Sequence, residues 1–151
     1  PEGVAAANLL KEDWGVGSEV FSATSFSELA RDAREVERRN RLNPLDEPRV
    51  SHLAATLPGD APVVAASDYV RAWPQLIASY VDAPFTALGT DGFGRSDTRA
   101  ALRAFFEVDR HQIALAALAA LAKNGAIPRE TVAEAIARYG IAPDAPAPWT
   151  V

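Results

Sequence analysis

The run Pro62–Ser67 constrains the fold of this chain more than any other segment, because PVVAAS is a continuous, mostly apolar stretch of strand length. A strand with one face in water alternates apolar and polar residues, whereas a strand of a parallel sheet is covered on both faces and does not alternate. A weakly alternating run, Ser18–Thr24, precedes it and a second short run, Phe85–Leu88, follows it. This strand–helix–strand order predicts an α/β domain with three layers, α/β/α, around a mostly parallel sheet.

Helix signals fill the intervals between these runs. Ser25 and Glu28 form the Ser-x-x-Glu pattern of a capping box, which predicts a helix from there to about Leu42. The remaining predicted helices cover residues 3–13, 69–80, 97–106, 109–123 and 128–139, with Asp97 or Ser96 as the N-cap of the third. The tail, residues 142–151, contains three prolines and is expected to lie extended along the surface or against a partner.

Composition limits the classes of function. A chain of 151 residues with 48% hydrophobic and 23% charged residues is typical of one soluble globular domain, which we expect to span residues 1–151. The longest apolar run, Ile113–Ala122, is too short to cross a bilayer, and a net charge of −5 argues against general binding to nucleic acid. The absence of cysteine excludes disulfides, thiolate metal sites and cysteine nucleophiles within the chain.

A glycine-rich turn, LGTDGFGRSD at residues 88–97, follows the run Phe85–Leu88. Its glycines match neither a P-loop, which needs Lys-Ser/Thr after them, nor the dinucleotide fingerprint. They are typical of a turn that needs backbone angles other residues avoid. The turn also contains charged, polar and aromatic residues that are candidates for contacts across an interface: Asp91, Phe93, Arg95, Ser96 and Asp97.

The segment 88–108, LGTDGFGRSDTRAALRAFFEV, resembles the C-terminal, transketolase-like domain of the homodimeric, thiamine-diphosphate-dependent pyruvate dehydrogenase decarboxylating component. The likeness continues, in the same order along the chain, in DWGVGSEVFSATSFSELARD at 13–32, Asn43-Pro44-Leu45, Ala66–Tyr69 and the alanine-rich segment 108–123. It therefore covers nearly the whole chain. The resemblance implies a C-terminal fragment of a larger multidomain enzyme of the bacterial cytoplasm.

The same resemblance implies an oxidoreductase that decarboxylates pyruvate on thiamine diphosphate with magnesium and passes the product to a lipoyl group. The family's metal motif begins Gly-Asp-Gly and ends in Asn-Asn, and the nearest match here is Thr90-Asp91-Gly92. We therefore expect the cofactor and metal in the preceding domains, no catalytic residue in this chain, and no activity of the chain alone. Its two histidines, His52 and His111, lie in different elements and are interpreted as surface or interface residues.

The function that remains is assembly, with three partners implied by the resemblance: a second copy in a homodimer, the catalytic domains of the same enzyme, and the dihydrolipoyl acetyltransferase core. Ala114 and Ala117 are small enough for close helix contact across a dimer, although an alanine-rich helix that lies on its own sheet shows the same pattern. Trp14 and Trp149 are candidate anchors. Two alternatives stay open: a small-anion-binding α/β module that uses the turn Gly92-Phe93-Gly94, and the C-terminal domain of another transketolase-family enzyme.

Overall fold

The computed structural model describes residues 1–151 and contains two strands, seven α-helices and two short 3₁₀ turns. No helix is both long enough and apolar enough to cross a bilayer. In chain order the elements are α1 (Glu2–Trp14), α2 (Phe26–Leu42), α3 (His52–Thr56), β1 (Val63–Ala66), α4 (Ala72–Gln75), a 3₁₀ turn (Ala78–Tyr80), β2 (Phe85–Leu88), α5 (Arg99–Phe105), α6 (Arg110–Lys123), α7 (Arg129–Arg138) and a second 3₁₀ turn (Pro148–Thr150).

The two strands form a parallel sheet that lies between two groups of helices. Val63 pairs with Phe85 and Ala66 with Leu88, so Val64 and Leu88 share one face while Phe85 lies on the other. Val64 and Leu88 pack against the core formed by α1, α6 and α7. Phe85 packs against a second core, Ala30, Leu53 and Ile77, which comes from the segments containing α2, α3 and α4. The predicted α/β class, the parallel pairing and the three layers are confirmed, although the sheet has only two strands.

The strand predicted over Ser18–Thr24 does not form. Every residue from Gly17 to Thr24 is exposed, and none of them makes a backbone–backbone hydrogen bond. A strand needs a neighbouring strand to satisfy its N–H and C=O groups, and the sheet of β1 and β2 places none beside this segment. The weak alternation of this segment therefore wrongly predicted a strand of the sheet.

Helix ends follow local capping where the side chain reaches the backbone. The Ser25 hydroxyl accepts a bond from the Glu28 N–H at 3.3 Å, which confirms the predicted start of α2. The cap of α5 is Thr98, whose hydroxyl accepts from Ala101 N–H, so the assignment of Asp97 or Ser96 is wrong. The helix predicted over 69–80 is shorter, since α4 begins at Ala72 and ends at Gln75.

The chain buries little of its surface for its size. Only 16 of 151 residues are buried, and the accessible surface is 9765 Å². A folded monomer of 16.1 kDa is expected to expose about 7,400 Å² on the size scaling of single-chain proteins. The excess of about 2,300 Å² is as large as the area buried in a substantial protein–protein interface.

Candidate functional site at the carboxyl ends of the strands

Because β1 and β2 are parallel, the loops that follow them meet at one edge of the sheet. The Ser67 N–H donates to Leu88 O at 3.0 Å, and the Thr90 N–H donates to Tyr69 O at 2.9 Å. The Thr90 hydroxyl also donates to Asp68 O at 3.3 Å. These bonds extend the pairing of the strands beyond the sheet and hold the two loops together.

Gly89 lies where the two loops touch. A Cβ atom at this position would lie 2.5 Å from the backbone N of Arg71 and 2.6 Å from the backbone O of Tyr69. Both neighbours are main-chain atoms, which cannot rotate away as the end of a side chain can. Glycine is therefore required here by contact, whereas the sequence motif indicated only that a shaped turn begins.

Asp91 joins the second loop to the first, and its partner Arg71 and its neighbour Gly92 contact the C-terminal tail. Its carboxylate accepts from the Arg71 N–H at 3.0 Å and forms an ion pair with the Arg71 side chain. The Arg71 guanidinium lies 4.5 Å from the centroid of the Trp149 ring, within range of a cation–π contact. Gly92, with φ 106°, lies against the backbone of Pro148 and Trp149. The tail is thus docked on the strand-end loops, and Trp149 is an anchor within the chain.

Four aromatic side chains stand exposed around this joint, and we call them the strand-end surface: Tyr69, Trp73, Phe93 and Trp149. Phe93 is 81% exposed at the tip of the glycine turn. The Tyr69 and Trp73 rings lie 6.2 Å apart, between centroids. Aromatic and arginine side chains are the residue types enriched at the centres of protein interfaces. Of these four, the sequence pattern indicated Phe93 and Trp149 as contact residues but not Tyr69 and Trp73, since tyrosine and tryptophan at helical spacing also fit a core.

The other turn candidates lie beside Phe93 at the start of α5. The Arg95 guanidinium lies 4.1 Å from the centroid of the Phe105 ring. Arg95, Ser96 and Asp97 are exposed and, together with the side of α5, line an open cavity of about 300 Å³. Asp97 accepts a bond from the Thr98 N–H at 2.7 Å. The structure therefore brings the five turn candidates together at one edge of the sheet.

A network of charges connects this edge to the first helix. Asp68, after β1, accepts from Arg103 of α5 at 2.9 Å, and Arg103 lies 3.6 Å from Glu2 at the start of α1. Glu2 accepts from the Arg110 N–H and from its guanidinium, each at 3.0 Å. The bonds that Arg110 donates hold the pKa of Glu2 below its ordinary value of 4.5. Asp68, in turn, raises the pKa of Arg103, so both arginines stay charged.

The two alanine candidates lie elsewhere and face inward. Ala114 is completely buried in the core that α6 shares with α1 and α7, and Ala117 packs against the same core. Their proposed role at a dimer interface is contradicted for Ala114, because nothing outside the chain can reach its side chain. The burial of Ala114 in a core against which Val64 and Leu88 pack agrees with the other interpretation, a helix that lies on its own sheet.

Trp14 and the two histidines also lie away from the strand-end surface. The Trp14 indole donates to the Tyr139 hydroxyl at 2.7 Å, which in turn donates to Asp13 at 3.0 Å. His111 is half exposed, with its ring 4.9 Å from that of Tyr139. His52 begins α3, where its N–H donates to Asp32 at 2.8 Å. These groups join helices within the chain, so Trp14 is an internal anchor.

The side chains at this edge of the sheet are suited to contact with another protein surface. Asp68 and Asp91 each form an ion pair with an arginine, Asp68 with Arg103 and Asp91 with Arg71. No three metal-ligating side chains of the chain come together in a group that could hold a metal ion. The donor set of this chain therefore does not fit a magnesium-bound diphosphate.

Comparisons with known proteins identify what the chain is similar to. Residues 2–109 match the family described as the transketolase-like TK C-terminal domain. The chain is 54% identical over 151 residues to the pyruvate dehydrogenase E1 component of Cupriavidus necator, covering 99% of this chain and 17% of that protein. It is 50% identical over 140 residues to the E1 component of Escherichia coli strain K12, covering 92% of this chain and 16% of the relative.

A more distant relative gives the same picture. The pyruvate dehydrogenase E1 component of Mycolicibacterium smegmatis is 42% identical over 143 residues, covering 93% of this chain and 15% of that protein. The chain thus spans about a sixth of the length of the curated relatives it matches.

Proposed function

Because the chain belongs to the family of transketolase-like C-terminal domains, we propose that it is the assembly domain of a larger pyruvate dehydrogenase E1 component. In this proposal the domain makes no bond to pyruvate. It packs against the catalytic domains of the same enzyme and supports a homodimer, so that an active site built elsewhere keeps its geometry. The observation that carries the proposal is identity of 54% across 99% of the chain to a protein with that name.

The surface of the chain supports an assembly role. The excess of about 2,300 Å² over a monomer of this mass is the size of an extensive interface. Thirteen large apolar side chains are exposed, and three of the four members of the strand-end surface stand at the ends of β1 and β2 or on the tail that docks there. Burying such side chains against other domains would recover the apolar burial that the chain lacks.

The rigidity of the strand-end loops also supports contact at this surface. Phe93 stands in a turn whose neighbours are fixed by Gly89, by the Arg71–Asp91 pair and by the docked tail. A loop whose backbone is held in place before binding loses less conformational entropy on association. We therefore assign Phe93, with Arg95, Ser96 and Asp97 beside it, to the contact with the rest of the enzyme.

The activity itself belongs to the whole enzyme in this proposal: pyruvate is decarboxylated and the acetyl group is passed to a lipoyl group of the dihydrolipoyl acetyltransferase core. Thiamine diphosphate supplies the electron sink for that chemistry and magnesium holds its diphosphate, both in the other domains. A bacterial cytoplasmic location is part of the same proposal. This chain contributes the packing that keeps those domains in place.

The test compares the complete polypeptide that carries this chain with the chain alone. We expect the complete polypeptide, supplied with thiamine diphosphate and magnesium, to decarboxylate pyruvate and the isolated chain to show no turnover. Phe93→Ser in the complete polypeptide should weaken the dimer in sedimentation equilibrium, while Val4→Ser, also at an exposed apolar residue, should leave it unchanged. Pyruvate turnover by the isolated chain, or its absence from the complete polypeptide, would refute the proposal.

The anion-binding alternative is supported by the cavity beside Arg95 and is tested separately. Calorimetric titration of the isolated chain with inorganic phosphate should give no saturable heat if the turn serves only for contact. Saturable binding that Arg95→Ala abolishes would favour the alternative.

A further inference from the structure

Residues 41–50, which we call the proline arm, comprise the last two residues of α2 and the loop that leads to α3, and every one of them is exposed. The arm is closed at its base by Asn40. The Asn40 side chain donates to Arg49 O at 2.9 Å and accepts from the Arg49 N–H at 2.9 Å. Both hydrogen bonds of this amide are therefore satisfied by one residue nine positions further along the chain.

Further bonds fix the tip of the arm. Asn43 donates to Arg39 O at 2.8 Å, and the Asp46 N–H donates to Asn43 O at 3.2 Å, closing a tight turn. The Arg39 guanidinium binds the Asp46 carboxylate at 3.0 Å. Pro44 and Pro48 restrict the backbone within the arm. These bonds give the proline arm a defined shape, and the arm does not pack against either core.

The proline arm exposes apolar side chains to water. Leu45, inside the turn, is 98% exposed, and Leu42 and Val50 are also exposed. The turn itself does not require leucine at its tip, since polar residues form the same turn without exposing apolar surface. A rigid loop with an exposed leucine at its tip is suited to insertion into an apolar pocket.

The charges of the arm argue against a second copy as the occupant. Asp46 is neutralised by Arg39, which leaves the free cations Arg41 and Arg49 and the free carboxylate of Glu47. These free charges leave each arm with a net positive charge, so a two-fold contact between arms would bring two surfaces of the same sign together. A head-to-tail contact with another face would instead extend into an open filament unless its rotation happened to close.

We propose that the proline arm docks into an apolar pocket, edged by carboxylates, on another domain of the same enzyme. The inference rests on the proposed function, because the chain spans about a sixth of its relatives and the pocket belongs to the remainder. Leu45 fills the pocket, and Arg41 and Arg49 meet the carboxylates at its edge. The arm is a second contact, formed by the loop between α2 and α3 and independent of the strand-end surface.

The experiment uses Leu45→Cys, because the chain contains no cysteine of its own. Labelling by a maleimide is followed by mass spectrometry of the peptide that carries the new cysteine, in the complete polypeptide and in the isolated chain. Asp60→Cys, at an exposed turn, is the control. We expect labelling at position 45 to be at least tenfold slower in the complete polypeptide, and labelling at position 60 to be the same in both.

A second pair of variants tests the charges. Adding Arg41→Glu to Leu45→Cys should speed labelling in the complete polypeptide at least threefold, and adding Arg129→Glu, at an exposed arginine without an ion pair, should not. Equal labelling at position 45 in both proteins would overturn the inference. Labelling of the isolated chain that slows with concentration would overturn it too, since a second copy would be the occupant. Pyruvate turnover by the same complete polypeptide reports separately on the proposed function.

Discussion

Replacing Gly89 by alanine tests whether contact between the strand-end loops holds this edge of the domain together. The added Cβ would lie 2.5 Å from Arg71 N and 2.6 Å from Tyr69 O, and atoms at those distances overlap. Because both neighbours are backbone, the loops must move apart, which threatens the bond from the Thr90 N–H to Tyr69 O at 2.9 Å.

The cost follows from these two effects. Overpacking in a well-packed region costs about 1–3 kcal/mol, and loss of one hydrogen bond adds about 1 kcal/mol. We therefore expect Gly89→Ala to lower the free energy of unfolding by about 2–4 kcal/mol. Gly94→Ala is the matched control, because no atom lies within 4 Å of its added Cβ, and we expect a change below about 0.5 kcal/mol.

The measurement is urea unfolding of the isolated chain, followed by circular dichroism for both variants and the parent. A lower midpoint without a change in the denaturant slope identifies a loss of stability. If Gly89→Ala is as stable as Gly94→Ala to within about 0.5 kcal/mol, the loops are not held by close contact and the rigidity assigned to the strand-end surface is wrong.

Three other changes test the remaining structure. Arg110 lowers the pKa of Glu2 in the folded chain. The ionised Glu2 therefore stabilises the fold above pH 4.5, and this stabilisation is lost as the pH falls through the lowered pKa. Glu2→Gln should remove this part of the acid-induced loss of stability, as measured by thermal unfolding over a series of pH values. Tyr139→Phe removes the acceptor of the Trp14 indole and should cost about 1–2 kcal/mol in urea unfolding, whereas an unchanged midpoint would mean that water replaces the hydroxyl. Leu118→Ala, at a fully buried side chain, should cost about 2–5 kcal/mol by the same assay, and a cost below about 1 kcal/mol would contradict its place at the centre of the core.

Local signals predicted the parts of the fold that depend on neighbouring residues. Ser25 caps the start of α2 as the Ser-x-x-Glu pattern predicted, and the apolar run at Pro62–Ser67 identified strand β1, although no residue of β1 is buried and Ala66 is exposed. The prediction of a strand at Ser18–Thr24 failed because a strand forms only beside another strand, and a local sequence pattern does not show which strand that is. The prediction that Ala114 lies at a dimer interface failed for a related reason, since small residues suit a helix contact within a domain as well as one between domains.

The candidate site also has one part that the sequence predicted and another that only the structure shows. The turn from Asp91 to Asp97 was identified by its glycines and charges, which mark a special backbone in any context. The ion pair of Asp91 with Arg71 joins residues twenty positions apart, and Trp149 stacks on that arginine from the end of the chain. No spacing rule links such residues, because they meet only when β1, β2 and the tail have been placed.

The sequence by itself determined the α/β class, most helices, the parallel pairing and the membership in a known family, because periodicity, caps and motif order are written in consecutive residues. Only the tertiary structure decided which small residues face the core, why Gly89 must be glycine, and that the chain leaves about 2,300 Å² more surface exposed than a monomer of its mass. The physical reason is that burial and close contact are properties of the space between elements, and that space is set by how helices pack across the sheet.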